Sequence, residues 1–407
     1  MHYGLIGEKL EHSYSKLIHE KLGHYVYELL PLAPEYVESF IKEGNWQGLN
    51  VTIPYKQTVI PFCHRLSEQA KRIGSVNTLV RMGDGSICGD NTDYDGFCMM
   101  ADHAGIDFSG KKVLILGSGG TSLTAVTAVR DRGGRPVVIS RSGPDHYGNL
   151  DLHSDAELIV NTTPLGMYPD TEVRPLDLND FPQCRGVLDV IYNPFHSRLI
   201  LQAQQLGIPC AGGLVMLVAQ AKRAAELFTG LSLPDALVLG IRNDLMADLA
   251  NLILIGMPGC GKSTVGKQLA AELGMDFADT DEEVEAAAGM SIPDIFERYG
   301  EEAFRRLESE QTQKLGKENR LVIATGGGIV KDPGNYARLK QNGLIFLLER
   351  DPALLSIKGR PLSKNREEVL ALHKERIGLY ESFADLRINS NCPIADVVGD
   401  IRERIGK

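Results

Sequence analysis

The chain has 407 residues, 43% of them apolar and 24% charged, with a formal net charge of −10. That is the composition of a folded globular protein, long enough for two or three domains. The acidic balance argues against general nucleic-acid binding, which needs a basic face, and no stretch approaches the ~20 apolar residues that cross a bilayer.

Residues 1–100 alternate strand-like and helix-like pieces, as in LNVTIP and APEYVESFIKEG. KKVLILGSGGTSLTAVTAVRDRGG, residues 111–134, then reads as strand, glycine-rich turn and helix. Strands are predicted at Val113–Leu116, Pro136–Ser140, Leu158–Asn161 and Val187–Val190, giving a doubly wound domain over about 109–210. Residues 213–247 read as strongly helical, and a short linker is expected near Asp244–Ala250. NLILIGMPGCGKSTVGKQLAAELG, residues 251–274, is a second strand–turn–helix unit, followed by strands at Leu321–Ala324 and Leu344–Leu348. The fold class is α/β throughout.

In the first turn, Gly117, Gly119 and Gly120 leave the backbone open to a pyrophosphate at a helix N-terminus. Ser122 stands where GxGxxG has its third glycine, so a tight turn without a ligand is the plain alternative. An NAD site usually carries an acid at the end of the next strand; here Ser140-Arg141-Ser142 offers an Arg between hydroxyls. That suits a 2′-phosphate and favours NADP over NAD, with an ordinary surface Arg as the alternative.

The second turn, Gly256 to Ser263, matches GxxxxGK[ST] completely and follows an apolar strand. Its backbone N–H groups at Gly259, Cys260, Gly261 and Thr264 are expected to cradle phosphates. Lys262 would reach the outer phosphates and Ser263 would bind Mg²⁺.

The segments GEKLEHSYSK, LNVTIPYK, GSVNTLV, GDNTDYDGF, NTTPLGM, IYNP and GGLVMLVAQA occur in the order seen in shikimate dehydrogenases, and over about residues 1–245 the chain resembles that family. The resemblance implies that Ser13, Ser15, Thr52, Asn77, Thr92 and Gln220 hold the substrate, with Tyr192 close to it. It implies Lys56 and Asp93 as the catalytic pair, and Asn161, Thr162, Gly213 and Met216 on the nicotinamide side. Reducing a ring ketone builds charge on its oxygen, which a Lys ammonium stabilises and protonates while an Asp orients the Lys. The bland reading of Lys56 and Asp93 is a surface ion pair, and of Ser13 and Ser15 a turn or cap. One departure stands out: Asp145 occupies the place where the family often has a second Arg for the 2′-phosphate.

After the second turn, FADTDEEVE, IPDIFERYGEEAFRRLE, ATGGGIV, GRPLS and ADLRIN resemble shikimate kinases over about residues 250–407. That resemblance implies that Asp279 helps to hold Mg²⁺, Asp281 bonds the attacking hydroxyl, and Arg305 and Arg387 grip the substrate carboxylate. It also implies that Gly327 lets substrate approach the backbone and that Arg360 on a lid contacts the ATP phosphates. Arg305 and Glu308, three apart on a helix, can pair.

The expected architecture is a substrate-binding α/β domain (1–101 with 213–246), a Rossmann-like NADP domain (102–212) and a P-loop kinase domain (250–407). The expected function is reduction of 3-dehydroshikimate with NADPH, then ATP- and Mg²⁺-dependent phosphorylation of shikimate. Two other readings are a ligand sensor derived from such enzymes, and an NAD-dependent quinate/shikimate dehydrogenase fused to the kinase. The partners are small molecules, with no nucleic acid or membrane. Seven scattered cysteines without a CxxC pair, and an N-terminus unlike a secretory signal, lead to an expected cytoplasmic location.

Overall fold

The computed structural model describes residues 2–10, 13–355 and 366–406. The chain divides into two compact units, Met1–Asp244 and Leu245–Lys407.

The first unit holds two sheets. One is mixed and six-stranded, ordered Tyr27–Pro31, Tyr3–Gly7, Gly48–Val51, Thr78–Arg81, Ile87–Asp90 and Arg65–Leu66. Its inner strands Tyr3–Gly7 and Gly48–Val51 are buried at every position, as expected of parallel strands covered on both faces. The other sheet is parallel and five-stranded, ordered Cys210–Gly212, Gly186–Asp189, Leu158–Asn161, Lys112–Leu116 and Arg135–Ile139. From Lys112–Leu116 the chain leaves toward one edge, and from the adjacent Leu158–Asn161 toward the other. This is a topological switch point, where open α/β sheets form a ligand crevice at the strands' carboxyl ends.

Helix Asp93–His103 packs closely on helix Leu214–Thr229. Gly96 permits that approach, since a Cβ there would meet the Met216 carbonyl oxygen at 2.6 Å. The predicted helical stretch 213–247 is two helices, Leu214–Thr229 and Ala236–Leu249. Gly230, at φ +71°, ends the first by donating to the Glu226 carbonyl at 2.8 Å, and Pro234 lies in the gap. The second helix occupies most of the segment expected to be a linker.

The second unit is built on a parallel sheet ordered Asp276–Asp279, Leu321–Ala324, Asn251–Ile255, Gly343–Glu349 and Leu386–Asn389. Asn251–Ile255 and Leu321–Ala324 are buried at every position, which explains the apolar runs Leu252–Ile255 and Leu321–Ala324. Among the described residues no helix is long and apolar enough to cross a membrane.

Candidate active sites

A cavity of about 450 Å³ in the first unit is lined by Ser13, Ser15, Thr52, Lys56, Asn77, Asp93, Tyr192, Gly213, Met216 and Gln220. At its wall, Lys56 Nζ donates to Asp93 Oδ2 at 2.6 Å, with the side chains 24% and 12% exposed. Asp93 opens helix Asp93–His103, where the positive end of the helix favours a carboxylate. Ser13 Oγ donates to Ser15 Oγ at 3.1 Å, so the two hydroxyls present one polar edge. Burial, reinforced by Tyr192, pushes the Tyr14 phenol up to about 12; the two rings lie 5.5 Å apart.

Thr92 is placed differently from expectation. It is fully buried and absent from the cavity wall. Its backbone N–H and its hydroxyl donate to Asn77 Oδ1 at 2.7 and 3.2 Å, so it holds Asn77 from behind.

The first glycine turn follows Lys112–Leu116 at the switch point. Gly117 has φ +106°, and a Cβ there would meet Thr162 Oγ1 at 2.9 Å, so only glycine fits. Gly119 and Gly120 are exposed, with nothing within 4 Å of an added Cβ. They start helix Gly120–Asp131, whose first N–H groups lack helical partners. This open backbone fits a pyrophosphate, and the next residue, Thr121, lines the same cavity as Lys56 and Asp93. Arg141 and Ser142 are exposed at the end of the neighbouring strand, and Ser140 is partly buried there; these positions fit a phosphorylated ribose. The Asp145 carboxylate beside them is engaged by His153 Nε2 at 2.9 Å, and His146 caps the following turn.

Asn161 departs from the expected cofactor contact. Its side chain is fully buried, donating to Asp189 Oδ1 at 3.0 Å and accepting from the Thr163 N–H and hydroxyl at 3.0 and 2.7 Å. No polar atom of it is left to face a cofactor.

The second unit has a cavity of about 690 Å³ lined by Gly259, Cys260, Gly261, Lys262, Ser263, Thr264, Asp279, Asp281 and Gly327. Ser263 Oγ donates to Asp279 Oδ2 at 2.6 Å, bringing together two hard oxygen donors that suit Mg²⁺. Lys262 Nζ folds back onto the carbonyls of Gly256 and Met257 at 2.9 and 3.0 Å. The Asp281 carboxyl is pushed up to about 6, first by burial and then by neighbouring Asp279, while Lys262 and Arg305 draw it down. A Cβ on Gly326 would lie 2.5 Å from Asp281 Oδ1 and 3.0 Å from Glu308 Oε1, so the glycine run lets these groups close in.

Arg305 is not in the cavity wall; it packs against Gly328 and its Nη1 pairs with Glu308 Oε2 at 2.7 Å. Arg387 is a correction. It lies on the edge strand Leu386–Asn389, half exposed, paired with Glu381 and Glu349, and does not line the cavity. Among the described residues the arginines that do are Arg350 and Arg376; Arg376 is 3% exposed, and its Nη1 donates to the Gly327 carbonyl at 2.9 Å. Sequence reasoning missed it, although the buried stripe Val369, Arg376, Tyr380 and Phe383 puts an arginine on an otherwise apolar helix face. Arg360 lies outside the described residues.

Compared with known proteins, residues 5–79 match the family model for the shikimate dehydrogenase substrate binding domain, and residues 258–405 match shikimate kinase. A shikimate dehydrogenase (NADP(+)) of Clostridium perfringens is 32% identical over 251 residues, covering 56% of this chain and 92% of its own length. The crystal structure of a chorismate mutase/shikimate 5-dehydrogenase fusion protein from Clostridium acetobutylicum aligns with a TM-score of 0.57 at 32% identity, over 60% of this chain and 96% of that one. Shikimate 5-dehydrogenase from Thermus thermophilus, in complex with NADP(H) and shikimate, aligns with a TM-score of 0.54 at 28% identity, over 60% and 99%.

Proposed function

The chain belongs to the shikimate dehydrogenase family and joins to it a shikimate kinase domain, and from that premise we propose that one polypeptide performs two successive reactions on one carboxylated ring. It reduces 3-dehydroshikimate to shikimate and then phosphorylates the shikimate 3-hydroxyl. NADPH supplies the hydride, and ATP with Mg²⁺ supplies the phosphoryl group. The observation that carries this reading is shared by both units. Each glycine turn opens into a cavity that also holds a proton-handling group: Thr121 with the Lys56–Asp93 pair, and Lys262 with Asp281.

In the first cavity, Ser13, Ser15, Asn77 and Gln220 supply hydrogen bonds to ring hydroxyls and the carboxylate. The Lys56 ammonium meets the developing oxyanion and gives up a proton to it. Asp93, 2.6 Å away, aims that ammonium and accepts from a substrate hydroxyl. In the second, Asp281 takes the proton of the attacking hydroxyl, a role that its raised carboxyl suits. Ser263 and Asp279 would hold Mg²⁺, Lys262 would meet the phosphates, and Arg376 in the cavity wall would hold the ring carboxylate, while Arg305, paired with Glu308 outside the wall, draws the Asp281 carboxyl down.

We assign 1–101 with 213–246 to substrate binding, 102–212 to NADP and 250–407 to the kinase. The substrates are small molecules, and the cytoplasm is the compartment we assign. The test is to assay the purified chain for each half-reaction separately: NADPH oxidation with 3-dehydroshikimate, and ADP formation with shikimate and MgATP. Both must be present; failure of either removes that half of the reading.

A further inference from the structure

We propose that Asp189 is a positioning residue for the reduction: one buried carboxylate that ties together the two chain segments bordering the nicotinamide side of the first cavity. The inference rests on the dehydrogenase reading above and adds a residue that touches neither substrate nor cofactor.

Asp189 ends strand Gly186–Asp189 and is fully buried. Its carboxylate accepts from Ser197 Oγ at 2.5 Å, Asn161 Nδ2 at 3.0 Å and the Ile191 N–H at 3.1 Å. These donors come from two different places. Asn161 ends the adjacent strand and, through its own oxygen, sets the Thr163 backbone. Between them Thr162 donates to the Leu116 carbonyl at 2.6 Å and sits against Gly117. This side of the bracket therefore supports the glycine turn. Ile191 and Ser197 begin and end the other segment, which carries Tyr192 and Asn193 into the cavity wall. Ser197 also caps helix Arg198–Gln205 by accepting from the Ile200 N–H.

A buried carboxylate is costly unless its oxygens are satisfied. Here all three donors come from segments that border the reaction space; Ser13, Asn77 and Gln220 stand on other elements, and Tyr192 is the one substrate-side residue that the braced segment carries. Removing the carboxylate should loosen the geometry of transfer more than the grip on the substrate.

The test uses the full chain with Asp189→Ala, Asp189→Asn and Ser197→Ala, measuring kcat and KM for 3-dehydroshikimate. Asp189→Ala is expected to lower kcat at least about tenfold, because small displacements at the reacting atoms are costly, while KM stays within about twofold. Asparagine can still accept from Asn161 and Ile191 and donate to Ser197, so Asp189→Asn is expected to recover kcat to within about threefold of wild type. If Asp189→Ala does not fold, Ser197→Ala decides, with an expected kcat loss of about threefold at unchanged KM. An unchanged kcat in the deciding variant overturns the proposal. So does an equal loss in the alanine and asparagine variants. An inactive wild-type chain overturns the dehydrogenase reading and this one with it; an active wild type beside an unaffected Asp189→Ala overturns this one alone.

Discussion

Arg376 Nη1 donates to the main-chain carbonyl of Gly327 at 2.9 Å, and Tyr380, one helical turn on, donates its hydroxyl to the same oxygen at 2.5 Å. The two bonds fix a buried guanidinium at the wall of the second cavity, next to the glycine run that borders Asp281. Arg387 is instead paired with acids on an exposed edge. Arg376→Ala is therefore expected to raise the KM for shikimate by about tenfold or more, the scale of a lost charge-assisted contact. Arg387→Ala is expected to leave it within about twofold. Steady-state kinetics on the two variants check this; a larger effect at Arg387 would restore the assignment made from sequence.

Lys56 is the only group at the first cavity wall paired directly with Asp93 among the described residues. Lys56→Ala is expected to lower 3-dehydroshikimate reduction by about 10²–10⁴-fold, the usual span for a general acid. Phosphorylation of added shikimate by the same preparation should be unchanged. A reduction rate within tenfold of wild type would remove Lys56 from the chemistry.

Asp281 gives the kinase half a pH signature. Burial and Asp279 raise its carboxyl from 3.8 to about 6, so it is protonated, and unable to accept a proton, below that value. Kinase kcat/KM is expected to fall about tenfold per pH unit below pH 6. The stability sign is the reverse: the folded state binds more protons between 3.8 and about 6, so this group's contribution declines as pH rises through that window. Asp281→Asn should remove both trends. A flat kcat/KM profile between pH 5 and pH 7 in the wild type would rule out Asp281 as the base.

Gly326 leaves room for two carboxylates. Alanine there would place its Cβ 2.5 Å from Asp281 Oδ1, closer than real contacts come, and 3.0 Å from Glu308 Oε1, which is tight. Gly326→Ala is expected to lower kinase kcat by about tenfold or more through displacement of Asp281, with dehydrogenase turnover unaffected. Wild-type kinase rates would show that the loop absorbs the methyl group freely.

Much of this organisation could be read from the residues. Both glycine turns follow apolar runs that fold as buried strands, and the Lys56–Asp93 and Ser263–Asp279 pairs meet although 37 and 16 positions separate them in sequence. What escaped was burial. Thr92 and Asn161 stand in motifs that suggest ligand contact, but each spends its hydrogen bonds on protein, one behind Asn77 and the other on Asp189. A motif reports that a residue type matters at a position without saying whether it faces the cavity or supports the wall. Arg376 was obscured in the opposite way: a helix presents it at a core position, where periodicity implies packing, and only the Gly327 carbonyl and the cavity beyond give the charge its purpose. The break at Gly230 is marked by that glycine and by Pro234 four residues on, yet the apolar period on either side outweighs them.

The most direct test of two linked chemistries is one reaction: the purified chain with 3-dehydroshikimate, NADPH and MgATP, following 340-nm absorbance and shikimate 3-phosphate together. At completion with NADPH limiting and MgATP in excess, the account predicts equal molar amounts of NADPH oxidised and phosphorylated product formed. NADPH oxidation with no phosphorylated product, or product that forms without NADPH, would contradict it.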